Sequence, residues 1–386
     1  MTQLSDIVDI TEMTAAVHAG FIRVQTHPTL PLKIAGYSAK AQANWHWDPI
    51  TTALRGVIYN ETTGEVVARP FAKFFEVSQT PEVDYIDPAE DIWAFDKIDG
   101  SLGIIYPTVV VGSDENPQGQ QEYAVASRGS FQSDQARKAT ELLRTKYRDY
   151  QPHPYRTTLV EIVYPENRIV CDYGTDEKLV YLGEISILTG YFHYDPESWP
   201  VEADVSAPLY QGPYKQLFDL PDRQGAEGYV VWSPRTDARV KVKYDEYLRL
   251  HKIVTGLSRK TVWEHMRDTR DFTATQLIEK LPLAHGQWVQ GVAAEIRRDY
   301  THAHLVFAER GMQLCSELGL KKLQSLSREH RKAVAMAIKD DNPMVKAAIF
   351  SSIDGKGTGD LLWKACQPPP ERNNAPDDEV VLPPRV

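Results

Sequence analysis

FDKIDGSLGIIY, Phe95 to Tyr106, sets Lys97, Asp99 and Gly100 between an acidic run and a β-like run. Asp-Gly is a common hairpin dipeptide, so the segment by itself reads equally as a surface turn or as a placed, reactive lysine. Working outward, short β-rich runs broken by turn residues extend from about Gly36 to Val254: LRGVIYN, GEVVARPF, SLGIIYPTVVVGS, EYAVASRGSF, TTLVEIVYP, KLVYLGEISIL, GYVVWSP and RVKVKY. Two helical stretches interrupt them, Ser133 to Tyr147 and Tyr244 to Val254. After Ser258 the spacing turns helical, in SRKTVWEHMRD, GQWVQGVAAEIRRDYTHAHLVFAERGMQLCSEL and SREHRKAVAMAIKDD, with serines available as amino-terminal caps. The texture predicts an α+β chain: a mixed or antiparallel-sheet domain over 1–254, an all-α domain over 255–366, and a Pro- and acid-rich disordered tail over 367–386.

The 386 residues suffice for two or three domains, and 42% hydrophobic with 25% charged residues describes a globular protein. The amino terminus carries acids where a signal peptide has basic residues, and no apolar run approaches the roughly 20 residues that span a bilayer. Cys171, Cys315 and Cys366 are odd in number and far apart, which offers neither a disulfide framework nor a CxxC zinc site. These features predict a cytoplasmic protein with no membrane partner. The net charge of −10 argues against nucleic acid, but residues 255–366 hold 17 Lys and Arg against 13 Asp and Glu, so the acidity lies elsewhere. That local excess suits contact with RNA.

The company of Lys97 gives its segment meaning. In chain order follow Arg128 in ASRGSF, Glu161 in LVEIVYPENRIVCDY, Glu227 and Gly228 in EGYVV, and Lys241 and Lys243 in VKVKYDEYLRLH. Alternation in RVKVKY puts Arg239, Lys241 and Lys243 on one strand face and Val240 and Val242 on the other, a pattern that also marks a solvated edge strand. Glu161 and Glu227 sit in or beside apolar runs, where a carboxylate needs a cation or hydroxyl partner.

Order and spacing together resemble the covalent nucleotidyltransferase superfamily, and in detail the phage-type ATP-dependent RNA ligases that repair broken tRNA (the RNA ligase 1 family). LRGVIY followed by ARPFAKFF extends the likeness to Arg55 and Lys73, while PENRIV and YLRLH are features of this ligase subgroup. The likeness covers about residues 50–255 and is faint beyond Ser258.

The resemblance implies a mixed-sheet nucleotidyltransferase domain of ATP-grasp-like ligase type. It implies that Lys97 takes AMP from ATP as a lysyl phosphoramidate and passes it to an RNA 5′-phosphate. A 3′-hydroxyl then displaces AMP. The amine must be neutral to attack, and desolvation and nearby cations favour that form; Lys241 and Lys243 are the candidates to supply the field and to hold the phosphates. Glu161 would contact the ribose or a metal. Glu227 would help hold Mg²⁺, with Mn²⁺ as the alternative, and Gly228 would border the nucleotide. Arg55 and Lys73 would grip pyrophosphate, and Arg128 would bind nucleotide or RNA phosphate.

Tyr247 would stack on a base or contact phosphate, although a core tyrosine explains it nearly as well. Asp99 either orients Lys97, reaches metal through water, or caps its own turn. Asp271 is the candidate for a metal-binding acid past Ser258. Two departures from the family pattern stand out: Glu76 occupies a usual Asn position and Arg128 a frequent Lys position.

GKGTGD near residue 357 lacks the upstream glycine of a Walker A loop, since Phe350 stands there, and reads as a loop. His302 and His304 are two apart and would face different sides of a helix. With no kinase motif in view, a separate 5′-kinase and 3′-phosphatase would prepare the RNA ends, a nicked tRNA being the family-derived substrate. The same lysine chemistry also serves DNA ligases and capping enzymes, and a non-catalytic, nucleotide-gated RNA-binding protein is the rival from another class.

Overall fold

The alternation in RVKVKY is built as a strand of a mixed sheet in the computed structural model, which describes residues 1–79, 86–108, 122–279, 281 and 283–369. Among the described residues fourteen strands form: β1 Ile22–Thr26, β2 Leu32–Tyr37, β3 Arg55–Asn60, β4 Val66–Ala68, β5 Phe75–Glu76, β6 Asp91–Asp96 and β7 Ser101–Thr108 come first. β8 Glu122–Ser127, β9 Arg156–Val163, β10 Lys178–Ser186, β11 Phe192–His193, β12 Pro208–Pro213, β13 Gly228–Trp232 and β14 Arg239–Lys243 follow. They make a sheet of order β1-β2-β3-β4, a second of order β11-β10-β9-β7-β8 and a third of order β12-β6-β13-β14-β5. All described pairings are antiparallel except β14 with β5.

The strand pattern begins earlier than Gly36: IRVQT and LKIAGY pair as β1 and β2. β6 and β12 are likewise strands that the sequence runs did not include. Each is short and starts or ends on charged or Pro/Gly residues, which weakens the period-2 signal, and it is neighbouring strands that recruit them.

Period-2 geometry decides which side chains meet. On β7, Leu102, Ile104 and Tyr106 pack with Ile34 and Ile58 of the first sheet, while Ile105 turns to the other face. On β9, Leu159 shares the first core, whereas Val160 and Ile162 join the second, which the helix Asp134–Thr145 covers with Ala139, Leu142 and Leu143. Ser133 caps that helix by accepting the Ala136 N–H. By the same parity Glu161 lies on the Leu159 side of β9, away from the covering helix.

The chain divides into two compact units, the first over Met1–Lys252 and the second starting at Ile253. The second is helical. Its longest element, Leu283–Glu317, presents Val289, Val292, Ala293 and Ile296 at i, i+3, i+4 and i+7 to a core with Trp263, Met266 and Trp363. Further along, Leu314 joins a separate core with Val334, Ile338, Ile349 and Ile353. This one long helix thus serves two cores. Among the described residues no helix is long and apolar enough to cross a membrane. Residues 370–386 of the expected tail lie outside the described residues.

Leu159 is fully buried between strands, and truncating it leaves a cavity as well as losing apolar burial. Leu159→Ala is expected to lower the stability of the first unit by about 2–5 kcal/mol, whereas Leu188→Ala, at a residue 70% exposed, should change it by less than about 0.5 kcal/mol. Urea unfolding midpoints of the two variants check this.

Candidate active site

The third sheet brings the basic and acidic residues into register. Lys97 follows directly on β6, which pairs with β13 through Tyr229 opposite Asp96 and Val230 opposite Phe95. β13 in turn pairs with β14 through Gly228 opposite Lys243, Val230 opposite Lys241 and Trp232 opposite Arg239. Phe95, Val230 and Lys241 therefore form one cross-strand row, and Trp93, Trp232 and Arg239 the next. The Lys97 N–H donates to the Gly228 carbonyl at 3.1 Å, which fixes the start of the lysine turn against β13.

Glu227 stands at the head of β13 with 2% of its side chain exposed, and its carboxylate is shared between two ammoniums. Lys97 Nζ lies 2.9 Å from Oε2, and Lys243 Nζ lies 3.1 Å from Oε1. Lys243 also lies 3.6 Å from Glu76 Oε1 on β5. Gly228 permits this approach: its φ is +144°, and a Cβ there would stand 2.0 Å from the Val242 carbonyl oxygen.

A cleft in the first unit is lined by Lys97, Asp99, Arg55, Arg128, Glu161, Glu227, Lys241 and Tyr247, together with Tyr37, Phe74, Phe95, Val230 and Arg239. Lys241 Nζ lies 5.0 Å from the centre of the Phe74 ring, and the Arg55 guanidinium approaches the same ring at 5.8 Å. Arg128 stacks over Tyr37 at 4.4 Å. Lys73 lies over Trp47, Phe75 and Tyr37 at 4.8, 5.3 and 5.4 Å. Lys243 sits behind Glu227, not on the cleft wall. Asp271 belongs to the second unit, where its carboxylate accepts the N–H groups of Thr273 and Thr275 and is held below the usual range by the Thr273 hydroxyl and N–H.

Asp99 is buried and saturated with donors. Its Oδ2 accepts the Val170 and Cys171 N–H groups at 2.8 and 2.7 Å, and its Oδ1 accepts the Tyr247 hydroxyl at 2.8 Å. The Asp99 N–H donates to the Tyr173 hydroxyl at 2.9 Å. Each carboxylate oxygen of Asp99 thus accepts at least one hydrogen bond from another segment. Asp99 ties the lysine turn to the segment after β9 and to the helix Asp245–Thr255. Tyr247 is 4% exposed, as a core tyrosine is, and it also lines the cleft. Burial, reinforced by Glu227 and Asp99, pushes its hydroxyl far above the ordinary tyrosine range and keeps it a donor.

Gly100 is needed because a Cβ would stand 2.6 Å from the Ile162 carbonyl oxygen and 3.0 Å from Glu161 Cγ. PENRIV contributes Asn167, whose Nδ2 donates to Ile162 O at 2.9 Å while its Oδ1 accepts the Ser101 hydroxyl at 3.1 Å. β7 and β9 are thereby locked beside the cleft.

Two site residues were not singled out from the sequence. Arg239 shares the face of Lys241 but is held by Asp237 and stacked between Phe71 and Phe192 at 5.1 and 4.9 Å. Its position in RVKVKY was the available signal. Arg223 donates to Asp96 Oδ1 at 2.6 Å and to the Gly228 carbonyl at 3.1 Å, clamping the strand ends that carry Lys97 and Glu227. Nothing local in LPDRQGAE marks it.

Among the described residues no group of three or more His, Cys, Asp or Glu side chains is placed to hold a metal ion. The cleft does offer the carboxylates of Glu161 and Glu227. Mg²⁺ commonly keeps water and phosphate oxygens and takes only one or two carboxylates, so this donor set fits a metal that arrives with a nucleotide.

Residues 53–208 match the model of a family described as RNA ligase. Over that stretch the chain is similar to the RNA ligase family. It is 28% identical over 138 residues to a protein provisionally named an RNA ligase in Thermovibrio ammonificans, covering 34% of this chain and 33% of that one. It is 23% identical over 267 residues to a provisionally named bifunctional polynucleotide kinase/RNA ligase of Autographa californica nuclear polyhedrosis virus, covering 60% of this chain and 35% of that one. The chain thus spans about a third of the length of these curated relatives. Among solved structures, an archaeal ATP-dependent RNA ligase aligns with a TM-score of 0.43 at 13% identity, over 74% of this chain and 76% of the other. A provisionally named ATP-dependent DNA ligase from Aquifex aeolicus aligns with a TM-score of 0.43 at 12% identity, over 87% and 89%.

Two outcomes follow from the buried Asp99 network. Asp99→Asn keeps the volume but replaces a charged acceptor and is expected to cost about 1–3 kcal/mol; combined with Tyr247→Phe, the loss should fall short of the sum of the single losses, as a double-mutant cycle in urea would read. Tyr247 and Tyr173 ionise more readily unfolded than folded, so stability is full below about pH 10 and falls as pH rises beyond it. Unfolding followed from pH 8 to 11 checks the sign, and Tyr247→Phe should flatten the fall.

Proposed function

We propose that this chain is an ATP-dependent RNA ligase that works through a lysyl-AMP intermediate on Lys97. The observation that carries the reading is Lys97 Nζ at 2.9 Å from the buried Glu227 carboxylate, in a cleft lined by Lys241, Arg55 and Arg128. A neutral Lys97 amine attacks the α-phosphorus of ATP, a P–N bond forms, the α–β phosphoanhydride breaks and pyrophosphate leaves. Glu227 Oε2, 2.9 Å away, accepts the proton the amine sheds. Lys241, Arg55 and Arg128 offset the phosphate charge, with Lys73 on the pyrophosphate side, and Glu161 faces the ribose or a phosphate-borne metal.

In the second step an RNA 5′-phosphate oxygen attacks the same phosphorus, the P–N bond breaks, and a proton returns to Lys97. In the third, a 3′-hydroxyl attacks the RNA phosphorus, sheds its proton to solvent, and AMP leaves with the electron pair. Mg²⁺ bound with the nucleotide would neutralise phosphate oxygens, held by Glu161 and by Glu227 where it exchanges with a lysine. Gly228, held between Lys97 and Arg223, shapes the nucleotide wall.

We infer that the substrates are RNA ends bearing 5′-phosphate and 3′-hydroxyl, as in a nicked tRNA. The kinase paired with a ligase in the viral relative's name supports a separate end-healing activity. The basic balance of residues 255–366 supports RNA contact by the helical unit.

Intact-protein mass spectrometry after pyrophosphate stripping and incubation with ATP and Mg²⁺ tests the first step. Wild type should gain one adenylyl group, GTP should add nothing, and Lys97→Ala should gain none. Glu227→Gln should slow the gain about 10²-fold or more. Chasing the adenylylated protein with 5′-phosphorylated RNA or DNA identifies the acceptor. No mass gain from any nucleotide in wild type would turn the reading toward a nucleotide-gated RNA-binding protein.

A further inference from the structure

Trp45 is 53% exposed, unusual for so large an apolar surface. Its backbone is anchored on both sides. The Trp45 N–H donates to Gln42 O at 3.2 Å and the His46 N–H to Ala41 O at 2.9 Å, at the end of the helix Ala39–Ala43. The His46 ring stacks on Phe21 at 3.9 Å, and its Nε2 meets Asp48 Oδ2 at 3.1 Å. The Trp45 ring is backed by Phe75 and Trp47, with centroids at 5.7 and 6.0 Å. An exposed indole held in this way loses little freedom when a flat partner covers it.

Its neighbours connect it to the cleft. Trp47 packs edge-on against Tyr37 at 5.0 Å, and Tyr37 lines the cleft beneath Arg128. Lys73 lies over Trp47 and Phe75, the rings that back Trp45, and over the cleft-lining Tyr37. An exposed ring backed by aromatic residues that carry a lysine, beside a cleft lined by Arg55, Arg128 and Lys241, is the arrangement that holds single-stranded nucleic acid: bases stack, and the backbone meets the positive charges. A protein partner would favour a broader apolar surround than this single exposed ring on a lysine-bearing base.

We propose that Trp45 is a stacking platform for one unpaired base of the RNA strand whose end occupies the cleft. The site rests on the RNA ligase reading for its ligand but not for its geometry. It acts in RNA binding and end joining, and has no part in the transfer of AMP from ATP to Lys97, which requires no RNA.

The test compares wild type, Trp45→Ala and Trp45→Phe in the full chain. The probe is a labelled, 5′-phosphorylated, single-stranded oligoribonucleotide, read by fluorescence anisotropy, with adenylylation by ATP read by mass as the control for fold. Trp45→Ala is expected to weaken oligonucleotide binding about ten-fold or more, Trp45→Phe to restore most of it, and both to take up AMP as wild type does. An abasic nucleotide moved along the strand should weaken wild-type binding at one position and have no such effect there in Trp45→Ala. Equal affinity of Trp45→Ala and wild type, or an abasic scan without a sensitive position, would overturn the platform. Should wild type fail to take up AMP while the Trp45 dependence persists, the ligase reading falls and the platform stands.

Discussion

A carboxylate with 2% of its side chain exposed is tolerable only with counter-charge, and Glu227 meets that constraint with Lys97 on one oxygen and Lys243 on the other. Those lysines come from two strand ends that are far apart in sequence. The pairing of β6 with β13 and of β13 with β14 is therefore what makes the charge arrangement possible, and the charge arrangement in turn penalises any slip of register. Removing the shared carboxylate takes from two ammoniums the acceptor they share.

Around that centre the supporting contacts converge on the same short turn. Arg223 holds Asp96 and the Gly228 carbonyl, the Gly228 carbonyl also takes the Lys97 N–H, and Asp99 draws in the segment after β9 and the helix Asp245–Thr255. Under the proposed lysyl-AMP reading, such preorganisation would favour in-line attack, because positioning and electrostatics supply most of the rate in phosphoryl transfer. The aromatic rings of Tyr37, Phe74 and Trp47 add a low-dielectric wall over which Arg128, Lys241 and Lys73 lie.

The departures from the family pattern have physical content here. Glu76, in place of the usual Asn of the ligases the sequence resembles, brings a second carboxylate to Lys243 at 3.6 Å, so that lysine lies between two carboxylates. Arg128, in place of a frequent Lys, offers a planar guanidinium that can stack on Tyr37 while presenting its donors elsewhere, which an ammonium cannot do.

The chain order of Lys97, Glu161, Glu227, Lys241 and Lys243 was legible because each sits in a short motif with a fixed offset, and strand alternation alone predicted that Lys241 and Lys243 share a face. The α+β character and the helical texture after Ser258 were legible for the same reason, since periodicity is a local property. Tertiary structure alone decided what no local window contains. It supplied the strands β1, β2, β6 and β12, whose short and mixed sequences form only against neighbours. It also brought Arg223 to the lysine turn and set Trp45 among rings joined to the cleft wall. Sequence specifies residue types and periods; contacts between distant segments arise only when burial and pairing bring those segments together.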